Sequence, residues 1–154
     1  MTASKPQPID FLYSAFDKIN SYKRPGQARK EFANYVKNDF AFRSVIQGAF
    51  NKKIQFSLPP GTPEGFDLIN SPGATNAKKI FTSGEVKQFV GKPGTAKPQI
   101  ESKWVGWLEA IDPLDVKVLE AMKDKRLTEA YPVISRDFIV ASLGAKEAAA
   151  LIGD

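Results

Sequence analysis

Proline and glycine fall unevenly along this chain: six of its eleven prolines and six of its eleven glycines lie between Ser57 and Pro98. Proline removes a backbone donor and fixes φ, and glycine loses the most conformational freedom on ordering, so a stretch rich in both sustains neither a long helix nor a sheet ladder. It opens with LPPGTPEG, and no periodic pattern within it runs beyond a few residues. On either side, apolar residues recur at helical spacing. The expectation is a mainly α, compact helical domain of about six helices with a long irregular Pro/Gly-rich middle segment.

The flanking patterns are specific. Ile9, Leu12, Phe16 and Ile19 form one stripe of a helix with Asp10 as its N-cap, and Pro25-Gly26 ends it. Ala28, Phe32, Tyr35 and Val36 form the inner side of a second helix whose other side carries Arg29, Lys30 and Lys37. A third, from about Phe40 to Phe50, gathers Phe42, Val45, Ile46, Ala49 and Phe50. In the middle, Ile54, Phe56 and Leu58 alternate as a short extended piece, and Ser83 to Val90 suits a short helix capped by Ser83 and stopped by Gly91.

Helical signals then return. Ile100, Trp104, Trp107, Leu108 and Ile111 share a stripe. Asp112 is an N-cap for the next helix, with Pro113 in its first position, Asp115 in its first turn and Leu114, Val118, Leu119 and Met122 as its inner face. Ser135 caps a further helix through Phe138, Ile139 and Leu143 to Gly144, and an alanine-rich segment follows. The chain reads as one domain over 1–154: a flexible arm (1–8), a basic helical part (9–54), an irregular insertion (55–98) and an acidic helical part (99–154).

Two absences bear on function. The chain has no cysteine and no histidine, which removes disulfides, thiolate nucleophiles, imidazole bases and the usual zinc ligands. Neither G-x-x-x-x-G-K-[ST] nor G-x-G-x-x-G nor a calcium-binding D-x-[DN]-x-[DN]-G run occurs, so no catalytic residue, cofactor or metal site is assigned. Asp112 and Asp115 resemble a carboxylate pair only until their capping role is seen. No apolar run reaches about 18 residues and MTASKPQPID has no signal-peptide pattern, which points to the cytosol and away from membranes.

Charge is polarised along the chain. Residues 1–54 carry ten Lys/Arg against four Asp/Glu, residues 55–99 five against three, and residues 100–154 seven against ten. A basic part beside an acidic part suits a polyanion partner, or charge matching between copies.

The runs FRSVIQGAFNKKIQFSLPPGTPEGF (Phe42 to Phe66) and WVGWLEAIDPLDVKVLEAMKDKRLTEAYPVISRDFIVASL (Trp104 to Leu143) resemble a family of small proteins encoded by T4-like tailed phages, especially those of marine cyanobacteria. The first element of that pattern is matched by Ala49-Phe50, Ile54, Phe56, Leu58-Pro59 and Gly61. The second is matched by Leu108-Glu109, Lys123-Asp124-Lys125, Leu127 and Tyr131-Pro132. The resemblance implies a phage origin, and so a host cytoplasm, and carries no activity, substrate or catalytic residue with it.

Four groups of residues remain as candidate sites. Lys23, Arg24, Arg29, Lys30, Lys37, Arg43, Lys52 and Lys53 could neutralise phosphates of DNA or RNA, or be ordinary solvated helix faces. A helix-turn-helix over the second and third helices lacks a turn signature and places Asp39 at the reading end. Lys123, Lys125 and Arg126 could dock an acidic partner, or simply oppose a helix dipole. Trp104 and Trp107, near Lys97 and Lys103, could stack on bases, although their spacing fits a core stripe. Gly73, Lys78, Lys79, Gly91, Lys92 and Gly94 could cradle a phosphate, or form a plain loop. The leading expectation is a non-enzymatic accessory protein that binds nucleic acid or the machinery handling it. The alternative is an assembly module, a virion component or host-factor binder, that uses the Pro/Gly-rich middle, with the oligomeric state open.

Overall fold

A computed structural model describes residues 11–153. The first half contains α1 (Leu12–Ser21), α2 (Pro25–Asn38) and α3 (Phe40–Phe50). Residues 51–77 form no helix; α4 (Lys78–Thr82) and a 3-10 turn (Glu85–Phe89) follow. The rest is α5 (Pro98–Ala110), α6 (Pro113–Lys123), α7 (Leu127–Ala130), α8 (Arg136–Leu143) and α9 (Ala145–Ile152). The described residues contain no β-strand, only two isolated bridges, Phe56 to Val90 and Thr75 to Ile111.

Boundaries follow local chemistry. Pro25, Pro98 and Pro113 each open a helix, where the missing N–H costs nothing. Asp112 accepts from Leu114 N at 2.9 Å and Ser135 from Phe138 N at 3.1 Å, both as expected. Asp10, Ile9 and the arm lie outside the described residues. The helix expected from Ser83 is instead a 3-10 turn beginning at Glu85, because Gly84 (φ +81) interposes a left-handed residue.

One apolar cluster runs from Leu12 to Ile152 and draws on every part of the described chain. Its spine is aromatic. Phe16 stacks on Phe42 (4.5 Å between centroids) and on Tyr131 (5.2 Å), Phe32 meets Phe42 and Phe138 edge-on, and Tyr35 leans on Phe42. Fully burying each such ring contributes about 1.5–3 kcal/mol. α3 is central, packing against α1, α2, α4, α6 and α9.

Two expectations are corrected. Residues 55–98, expected as an irregular insertion, are part of the core itself, since Phe56, Leu58, Phe66, Ala77, Ile80, Phe81 and Phe89 are all buried in it. Leu114 is not on the inner face of α6: it is 45% exposed, while Val116 and Asp115 are fully buried. The buried arc of α6 is turned so that the Asp115 carboxylate faces inward.

Candidate functional site

The eight cations of the first part lie on the outside of α2, α3 and the turn after α3. Buried Ala28, Phe32 and Val36 recur every four residues along α2, so Lys30 and Lys37, two turns apart, share its outward side. Arg29 sits half-exposed on the flank; Lys23 and Arg24 precede the first turn, Arg43 is exposed on α3, and Lys52 and Lys53 are exposed beyond its end. None of the eight is ion-paired with a described acid. Lys23 and Arg24 stand at the positive end of the α2 dipole with no acid in its first turn, a placement that folding does not favour.

Asp39, the acid within this surface, is occupied. Its side chain caps α3 by accepting from Phe42 N at 3.1 Å, and its other oxygen lies 2.7 Å from Lys78 Nζ. A single residue separates α2 from α3. A helix-turn-helix needs a turn of three or four residues and a projecting second helix, so α3, enclosed by five neighbours, is not a reading helix.

Lys123 and Lys125 do not form a docking point, because both side chains turn inward. Lys123 is 6% exposed; its Nζ donates to Pro59 O (2.8 Å) and Gly61 O (3.1 Å) and pairs with Asp124. Asp124 accepts in return from Gly61 N, and Glu120 accepts from the Thr62 hydroxyl. Lys125, at φ +60, donates to the carbonyls of Gly48, Asn51 and Ile54 at the C-terminal end of α3, and burial pushes its ammonium down to about 8. Arg136, which carried no signal in the sequence, donates to Phe50 O there and to Gly153 O. Two cations thus satisfy the orphan carbonyls at the negative end of α3. Arg126 alone of the three is exposed, beside Glu129 at 3.1 Å.

Asp115 is the fully buried carboxylate. Its two oxygens accept from Tyr13 N (2.9 Å) in the first turn of α1 and Ala77 N (3.0 Å) at the start of α4, so it caps two helices other than its own. Burial raises its carboxyl above the ordinary range against the opposing pull of those N–H donors. With both oxygens engaged by backbone, it is a structural group and not a free general base. Burial likewise raises Glu120, whose second oxygen has no partner.

A cleft of about 930 Å³ opens between the loop Leu58–Glu64 and α5. Glu64, Glu101 and Glu109 line it together with Pro59, Pro60, Pro63 and Trp104, and no lysine or arginine does. Sequence reasoning missed it, since its walls are 40 residues apart. Trp104 is buried, edge-on to Phe89, and Trp107, one turn on along the same stripe of α5, is half-buried and packed against the same core, the placement their spacing fits. The glycine-lysine loop is not drawn together around an anion: Gly73 lies against the end of α5, and Lys78 pairs with Asp39. No group of three acids able to hold a metal occurs among the described residues, and none of their helices is long and apolar enough to cross a membrane. Comparison of the chain with family models, curated proteins and solved structures found no match.

Proposed function

We propose that this chain is a non-enzymatic phage accessory protein of the host cytoplasm that binds nucleic acid, or the machinery handling it, through the basic surface of α2 and α3. The observation that carries the reading is that its eight cations stay at the surface unpaired with any acid among the described residues, whereas Lys123 and Lys125 are consumed inside. Free cations at fixed spacing neutralise phosphates and release counterions, so affinity falls steeply with salt. The test is titration of labelled DNA or RNA from about 50 to about 200 mM salt. Binding should weaken by an order of magnitude or more, and Arg29→Glu with Lys30→Glu should abolish it. Absence of binding at the lowest salt, or indifference to the reversal, ends the proposal.

The acidic cleft favours a second reading, an assembly module in which the Leu58–Glu64 loop and α5 receive a partner or a second copy. A salt-sensitive oligomer in size-exclusion chromatography with light scattering, without nucleic-acid affinity, would select it.

A further inference from the structure

We infer that Phe40 is a base-stacking platform, and that the polyanion held by this surface is single-stranded nucleic acid; the inference rests on the nucleic-acid reading above. Of the eleven phenylalanines, all within the described residues, Phe40 alone is exposed, at 62%. It makes no ring contact with the aromatic spine, while Phe42, two residues on, is fully buried in it. The core therefore accounts for the second ring and not the first.

The surroundings of Phe40 are cationic. Arg43 follows it at i+3 on the same face of α3, with Ser44 at i+4, and Lys37 stands in the last turn of α2 immediately before. Asp39, adjacent in sequence, is held by Lys78 and by the α3 backbone. An exposed aromatic ring flanked along the chain by two cations that pair with no described acid is the arrangement that takes up an unstacked base with its neighbouring phosphates. A duplex offers that ring nothing, because its bases are stacked edge-out in the grooves, and reading those edges requires a projecting element that enclosed α3 cannot supply.

The experiment is anisotropy titration of the full chain with labelled oligo(dT), oligo(U) and a duplex of equal length. Wild type should prefer both single strands. Phe40→Ala should weaken them by about ten-fold or more, the usual loss for one stacked base, with the salt dependence unchanged, and Phe40→Trp should restore binding. Arg29→Glu with Lys30→Glu should lower single-strand and duplex binding alike. Duplex preference, or Phe40→Ala binding as wild type while the charge reversal still weakens it, overturns the stacking inference and leaves the electrostatic reading intact. No binding of any probe overturns both. Unequal loss for oligo(dT) and oligo(U) would show which of the two strands the ring takes up better and supports the platform.

Discussion

The Lys125 side chain at the end of α6 donates to the carbonyl oxygen of Gly48 in the last turn of α3, 77 residues earlier in the chain. Asn51 O and Ile54 O accept from the same Nζ. Lys123, two residues before, grips Pro59 and Gly61. The stretches Phe42–Phe66 and Trp104–Leu143 are therefore joined to each other by these two lysines.

Lys125→Met should destabilise the fold by about 2–3 kcal/mol, since three carbonyls lose their donor. Lys125→Gly loses the same bonds and also relieves the left-handed backbone of Lys125, so it should retain about 1 kcal/mol more than the methionine variant. Urea unfolding of both decides the matter; a methionine variant as stable as wild type would show that the grip is incidental.

Stability should rise on mild acidification. Burial raises Asp115 and Glu120 above the ordinary carboxyl values of 3.8 and 4.5, so the folded chain holds protons that the unfolded chain has already released. Their contribution is fully present below the unfolded values and is lost as pH climbs through the folded ones. Urea midpoints should therefore be higher at about pH 4, near the ordinary carboxyl values, than at about pH 7, and Asp115→Asn and Glu120→Gln should each flatten that difference. An unchanged slope in both variants would count against the burial of these carboxyls.

Gly73→Ala should cost about 3 kcal/mol or prevent folding. A Cβ there would lie 2.3 Å from Ile111 O and 2.7 Å from Glu109 O, both backbone atoms that cannot swing aside. Gly26→Ala, in the first turn of α2 with open space around it, should be neutral or mildly stabilising. Thermal melts of the pair are the measurement, and similar midpoints would refute the close approach.

The long helices were legible because their apolar stripes and caps are local: Leu12, Phe16 and Ile19, or Asp112 and Pro113, need no knowledge of distant chain. α4 was not, since KKIFT is too short to show a period. A lysine at a helix end reads alike whether its stem goes to water or into a neighbour, so Lys123 and Lys125 were misassigned. Asp115 was assigned to its own helix, and its true partners stand 102 and 38 residues away. The cations expected on the first three helices lie at the surface, Arg29 half-exposed, but Phe40 was hidden among core-like neighbours, and the cleft is made by two segments with no shared motif.

The capping of α1 by Asp115 and of α3 by Lys125 and Arg136 has a consequence for biogenesis. As the nascent chain leaves the ribosome, its opening helices have their polar ends unpaired until α6 and the start of α8 have also emerged. Such long sequence separation makes docking slow. A product interrupted before residue 113 should stay unsettled, a target for proteases, however well its first three helices are written.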